Sequence, residues 1–246
     1  MWPLCWRGGL RQLVSNFADP TVGCVSSEDR LLGRDGKSSG EGSYVRYEMW
    51  LRRLESRVNS LVGLSGSLFA ARKEVCEDFS GEMQSDFRTL LNSMKMGLRG
   101  ISDPLVIGFY QDTVDPKREW DRKIRTVLRG LTVFFHHLDL LNIFQYGLFS
   151  YQLFCHKLLR WSVPFLLILA FVSNFMLSSK SFIYFILLWL HILFYSLGVL
   201  GLQKKLRDRS LIKIPMYFLT VNISILVAWW RYLRGQRIVT WAPTVR

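Results

Sequence analysis

The side chain best suited by type and position to move a proton is Asp86. It stands in the run SDFRTLLNSMKMG (85–97), where Leu90, Leu91 and Met94 repeat at helical spacing and Gly97 supplies a stop. An aspartate in a helix's first turn caps orphan amides and complements the helix dipole. The same rigid placement suits a general base. From the residues alone the cap is the simpler account. Ahead of Asp86, VGLSGSLFAARKEV (62–75) reads as a turn bracketed by Gly63 and Gly66, a short apolar strand Leu68–Ala71, and a helical turn opened by Arg72-Lys73-Glu74. His136, His137 and Asp139 bring metal-binding atoms together, but no further ligand spacing accompanies them and no metal site is assigned.

The elements that must hold these residues come from both sides. Residues 10–26 read as a helix, a turn at Asp19-Pro20 and a buried strand Val22–Val25, which is a fragment of α/β architecture. Residues 27–43 are polar and glycine-rich and read as a loop. From Tyr44 to Val58 the positions Tyr44, Tyr47, Leu51, Leu54 and Val58 fall three and four apart, with Trp50 beside them. They predict an amphipathic helix on a sheet, with Arg46, Arg52, Arg53 and Arg57 turned elsewhere. After Gly100 a strand Leu105–Ile107 follows Asp103-Pro104, and PKREWDRKIRTVLRG (116–130) is a strongly charged helix with Pro at its start. In Leu131–Cys155 the residues His136, Asp139, Asn142 and Gln145 make a broad polar side, which predicts a helix lying at a membrane interface.

The net charge of +13 invites a nucleic-acid partner, but its distribution excludes one. Residues 1–156 carry 20 basic and 18 acidic side chains; residues 157–246 carry 12 basic side chains and one acid, Asp208. That excess flanks apolar runs, where membrane topology signals sit. Between Arg160 and Lys180 lie 19 uncharged residues, and between Lys180 and Lys204 another 23. They reach about 28 and 35 Å, enough to cross a hydrocarbon core. A third run of 17, Ile214–Trp230, is at the lower limit and ends in the interfacial pattern Trp229-Trp230-Arg231-Tyr232. The basic loop Gln203–Lys213 is expected in the cytoplasm, and residues 1–156 with it. A crossing third run would put Arg231, Arg234, Arg237 and Arg246 outside, against the rule; a full span is nonetheless the expectation carried forward. Cys5, Cys24, Cys76 and Cys155 form no pairing or ligand pattern and read as thiols in a reducing compartment, and MWPLCWRGGL is not a signal peptide.

Several blocks in this order resemble the C-terminal half of membrane-embedded family-2 glycosyltransferases, the group of cellulose, chitin and hyaluronan synthases. They are NFADPTVGCVS (16–26), GSYVRYEMWLRRLES (42–56), GLSGSLFAARKEV (63–75), SDFRTLLNSMKMGLRGISDP (85–104) and RKIRTVLRG (122–130), the last standing where relatives carry Q-x-x-R-W. The resemblance implies an α/β fold: the C-terminal part of a GT-A (Rossmann-like) domain over residues 1–115, then basic and interfacial helices over 116–157. A transmembrane region over 158–246 follows, with spans at about 161–179, 181–203 and 214–230. It implies an inverting hexosyltransferase that moves a sugar from a nucleotide-sugar donor to a glycan or polysaccharide acceptor, in the cell (inner) membrane with residues 1–156 cytoplasmic. Asp86 takes the place of the catalytic base, Gly63, Gly66 and Arg72 lie on the acceptor side, and Arg122 and Arg125 match the Gln and Arg that serve the nucleotide diphosphate.

Two departures bear on that expectation. Ser85 stands where relatives often have an acid, and Thr126 replaces the family's Trp. The family's divalent metal, Mg or Mn, is held by a D-x-D in its donor half, and no D-x-D occurs in residues 1–246. The resemblance therefore covers the acceptor half. The alternative it leaves is a non-catalytic membrane remnant, or a partner whose donor half comes from another subunit.

Overall fold

The computed structural model describes residues 4–5, 8–32, 40–77, 83, 85–111, 116–203, 206 and 209–238. Residues 33–39 of the predicted loop 27–43, and the charges Lys204, Lys205, Arg207, Asp208 and Arg246, lie outside them. The centre is β2 (Val22–Leu32), inside a four-stranded mixed sheet of order β1-β4-β2-β3. It pairs in parallel with β4 (Arg99–Gln111) and antiparallel with β3 (Phe69–Ala71), while β1 (Leu4–Cys5) borders β4. Val22 to Glu28 of β2 are all buried, as expected of a strand covered on both faces. On one side α1 (Gly9–Ser15) packs through Leu13 onto Val22, Val25 and Val106. On the other, α3 (Ser85–Lys95) sets Leu90 against Cys24, Leu61 and Leu64. Close approach of α3 requires glycine in the sheet: a Cβ at Gly23 would collide with Ser93 Oγ and sit 2.8 Å from Leu98 Cβ. Gly97 ends α3 at φ +75°, the left-handed stop its position predicted.

Three local expectations need correction. β2 runs on to Leu32, through residues predicted as loop, because the parallel pairing with β4 resumes from Glu28↔Ile107 to Leu32↔Gln111. The predicted strand Leu105–Ile107 is the middle of a longer one. Pro104 has no N–H to give a ladder, and it is accommodated where the register jumps between Ser27↔Asp103 and Glu28↔Ile107, so that residues 104–106 bulge out. Asp103 braces the bulge, accepting from Leu105 N–H at 2.9 Å and from the amides of Gln12 and Asn16 at 2.9 and 2.7 Å. The third correction concerns α2 (Gly40–Val58): the predicted apolar stripe is only partly its covered face. Leu51 and Leu54 are half-buried, as is Arg52, but Tyr47, Trp50 and Val58 are 55%, 54% and 62% exposed while Met49 and Glu55 are buried; the Tyr44 side chain lies outside those described.

The charged helix continues past Gly130 as α4 (Pro116–His136). The predicted interfacial helix is then broken: a turn at Leu138–Leu141, the short α5 (Ile143–Tyr146) capped by Asn142, and α6 (Leu148–Leu153). Its polar residues are used separately, Asp139 in an ion pair with Lys95 at 2.8 Å and His136 against the Thr132 carbonyl. A π-helical stretch, Phe154–Leu159, leads into α7 (Arg160–Leu177), which is followed by α8 (Phe182–Leu200) and α9 (Ser210–Leu233). Among the described residues three helices are long and apolar enough to cross a membrane: Leu148–Leu177, Phe182–Leu200 and Leu211–Leu233. The largest core spans both halves of the chain, joining Val62, Phe87 and Leu91 to Phe134, Phe149, Trp161 and Ile225.

Candidate functional site

Asp86 lies in the first turn of α3, and one carboxylate oxygen, Oδ1, accepts the Phe87 N–H at 2.9 Å. The other, Oδ2, is turned toward Gly66, where an added Cβ would stand 3.3 Å from it. The turn before Gly66 is buried from Leu61 through Ser65 and emerges at Gly66 itself, so the carboxylate is reached from an open side. Gly63 faces a different group: a Cβ there would lie 3.1 Å from Lys157 Nζ. That ammonium sits 4.7 Å from the centre of the Phe87 ring and makes no hydrogen bond or ion pair to the described residues. The two predicted glycines thus line a turn that meets the predicted base on one end and a lysine on the other.

The turn is held from below. Asp29, near the end of β2, accepts Ser65 Oγ at 2.7 and 2.8 Å and the Ser67 hydroxyl as well, and Ser65 N–H donates to Ser26 Oγ at 2.7 Å. From the side, Arg52 donates to the Leu64 carbonyl at 3.2 Å and Glu55 accepts Val62 N–H at 3.4 Å. Glu48, Arg52 and Glu55 recur four and three apart, so they share one face of α2. This polar stripe also grips the helix that leads to α7. His156 places Nδ1 against Glu55 and Nε2 3.1 Å from Glu48, and Arg160 donates to Glu48 at 3.1 Å. Both ring nitrogens face carboxylate oxygens, an arrangement satisfied when both carry protons. Burial is the largest influence on Glu48 and raises its pKa. The His156 hydrogen bond and the charges of His156, Arg52 and Lys157 outweigh it and hold the carboxyl below its ordinary value. Within the π-helical stretch Phe154–Leu159 consecutive residues face different neighbours, His156 meeting α2 and Lys157 meeting Phe87.

The remaining predicted residues are placed differently. Arg129 of α4 donates to the Met83 carbonyl at 2.9 Å while its Nε is buried with no partner among the described residues. Burial lowers its pKa and the charge of Asp86 opposes that, so the two lie within electrostatic reach. Arg125 also acts on Arg129, whereas Arg122 is engaged by Glu119 through two bonds of 2.7 and 2.6 Å. Arg72 is a structural tie: its guanidinium donates to the carbonyls of Val22, Phe17 and Asp19 at 2.7, 2.9 and 3.0 Å and lies over the Phe17 ring. Among residues the sequence did not single out, Asp29, Glu48, Glu55, His156, Lys157 and Arg129 all belong to the site or its supports. The spacing of Glu48, Arg52 and Glu55 was a readable signal; nothing local marked Asp29 or Lys157.

The arrangement fits proton abstraction near cations. Among the described residues no group of three His, Cys, Asp or Glu is close enough to hold a metal ion. Asp29 is occupied by serine hydroxyls, and Glu48 and Glu55 enclose His156.

A mixed sheet flanked by helices and followed by long apolar helices is similar to a glycosyltransferase fold. One solved structure to which the chain is similar is the mannosyltransferase PcManGT from Pyrobaculum calidifontis in complex with GDP-Man and Mn2+. The TM-score is 0.63 and the identity 20%, over 96% of this chain and 60% of that one. At that identity the likeness is one of fold, and the chain spans about 60% of the neighbour's length. No protein-family model matches the chain, and no curated protein matches it by sequence.

Proposed function

We propose that the chain is the acceptor-side and membrane part of a glycosyltransferase that moves a sugar from a nucleotide-sugar to a glycan acceptor, with Asp86 as general base. The observation that carries this is the placement of Asp86 Oδ2 across from Gly66, at the open end of a buried turn that meets Lys157 at Gly63, and within electrostatic reach of Arg129. The fold likeness to a protein solved with a nucleotide-sugar supports it. An acceptor hydroxyl lying over Gly66 gives its proton to Asp86 as its oxygen bonds to the anomeric carbon. The bond from that carbon to the diphosphate breaks, and the configuration inverts. The charge on the departing diphosphate is met by Lys157 and Arg129, with Arg125 in the place the resemblance assigns it; ammonium and guanidinium groups suit phosphate oxygens. Arg122 reaches a diphosphate only by leaving Glu119. Exposed Ile143, Phe144, Leu148 and Tyr151 on α5 and α6 face the bilayer of a cell (inner) membrane, with the sheet on its cytoplasmic side. The test is release of nucleoside diphosphate from a panel of nucleotide-sugars by the purified full chain in detergent. Turnover that disappears in Asp86→Asn, with nucleoside diphosphate binding retained, supports the reading. Turnover indifferent to Asp86→Asn, or no binding of any nucleoside diphosphate, overturns it.

A further inference from the structure

We infer that α9 does not cross the membrane but lies along its surface, with both ends on the side that carries the sheet. The helices α7 and α8 form an antiparallel hairpin, and their cross-contacts fix its register. Asn174 Nδ2 lies 3.1 Å from His191 Nδ1, and the Phe171 ring lies 6.2 Å from both His191 and Tyr195. In that register Phe165 stands level with about residue 200, at the foot of the hairpin opposite the Ser178–Ser181 turn.

Both halves of α9 touch that foot. Near its start, a Cβ on Gly201 would come within 2.7 Å of Met216 Cβ and a Cβ on Gly198 within 3.1 Å of the Pro215 carbonyl, while Phe218 packs on Phe194, about two turns up α8 from Gly201, with centroids 5.5 Å apart. Near its end, Trp229 Nε1 donates to the Trp161 carbonyl at 3.0 Å and its ring meets Phe165 at 5.9 Å. From Pro215 to Trp229 the helix advances about 21 Å. Parallel to the hairpin, that advance would carry Trp229 to the level of the Ser178–Ser181 turn. Instead it reaches the first turn of α7, so α9 runs across the foot and not up the hairpin.

The other neighbours of α9 agree. Along its length it packs on α4, which shares its core with Phe87: Lys123 lies over Tyr217, Ile124 and Leu128 enclose Ala228, and Phe135 stacks on Tyr232 at 5.2 Å. Leu211, Ile214, Ile223, Trp230 and Leu233 remain exposed and apolar, the surface a bilayer would cover. Arg234 lies 4.1 Å from the centre of the Trp230 ring, and Arg237 lies 4.2 Å from that of Tyr232. Aromatic rings and guanidinium groups together favour the headgroup level, where anionic lipid would pair with Arg231, Arg234 and Arg237. This placement also removes the conflict with the positive-inside rule that a crossing third helix creates.

The test is depth and sidedness of the full chain in vesicles containing anionic lipid. Spin labels at the exposed positions Leu211, Ile223 and Leu233 are expected at similar depths, within roughly 5–10 Å of the headgroup boundary. A crossing helix would set Ile223 about 15 Å deep, near the bilayer midplane, and would overturn the inference. In the same vesicles, a tag after Arg246 is expected to be cleaved by protease from the side opposite a label at Ser179→Cys. Cleavage only from the Ser179 side would overturn it as well, whatever the outcome for Asp86.

Discussion

Removing the Glu55 carboxylate is expected to unfasten the membrane hairpin from the sheet. Glu55 and His156 are only 6% and 9% exposed, and Glu55 serves both His156 Nδ1 and the Val62 N–H. Glu55→Ala leaves a buried imidazole with Glu48 as its one remaining carboxylate and strands the Val62 amide. Removing one partner of a buried ion pair costs about 3–5 kcal/mol. Glu55→Gln keeps the volume and an acceptor for Val62 while losing the charge, and should cost about 1–3 kcal/mol. Replacing both partners, Glu55→Leu with His156→Leu, removes the uncompensated charge, so the pair should cost less than the sum of the single changes by more than about 1 kcal/mol. Urea unfolding of the detergent-solubilised chain, followed by tryptophan fluorescence, reads this order, since Trp161 packs against Phe87 at the junction. If Glu55→Ala costs under about 0.5 kcal/mol, or the cycle is additive, the network is a surface accident and the argument for a clasp fails.

Glu48 supplies a pH dependence. Its folded pKa lies below the unfolded one, so the stability it contributes is present above about pH 4.5 and is lost as the pH falls through the folded value; Glu48→Gln should flatten that acid limb in thermal melts. Cys24 is buried with its thiol pushed up to about 12, whereas Cys76 is exposed; a maleimide at pH 7.5 should modify Cys76 and reach Cys24 only on unfolding, as peptide mapping would show. Gly23→Ala drives a methyl into Ser93 and Leu98 and should destabilise by about 1–3 kcal/mol in the same urea assay. Gly66→Ala sits at an exposed position against Asp86 Oδ2, so sugar transfer should fall by tenfold or more while the unfolding midpoint stays put; a shared fall in both would place Gly66 in the scaffold.

What was legible followed from short-range physics. The helix opened by Asp86 and stopped by Gly97, the strand Phe69–Ala71 and the long apolar helices all declare themselves through periodicity, caps and turns. Asp103-Pro104 marked a real irregularity, but one inside a strand, because parallel pairing to β2 on both sides outweighs the local turn signal. On α2 the apolar stripe was only partly a guide: a helix set between a turn and the run leading into α7 buries ion pairs, while Tyr47 and Trp50 stay outside. Asp29 and Lys157 lie 36 and 94 residues from the turn positions they meet, Ser65 and Gly63, and no local pattern encodes such a meeting. Arg72 illustrates the converse, a charge whose type suits a ligand but whose donors close the chain's own turn.

The clasp and the floor helix explain why the proposed base belongs at the membrane seam. Phe87, the residue next to Asp86, is wedged between Lys157 and Trp161, both on the helical run that enters α7. Any displacement of that run relative to the sheet moves the ammonium and the ring before it moves the bulk of α3. His156 and Arg160, one and three residues along from Lys157, are tied to α2, and the Trp161 carbonyl is tied to Trp229 of α9. Lys157 is therefore flanked by residues held from one side by α2 and from the other by α9. Under the proposed function, an acceptor hydroxyl over Gly66 would meet Asp86 on a turn whose other end rests on a lysine held by these two ties.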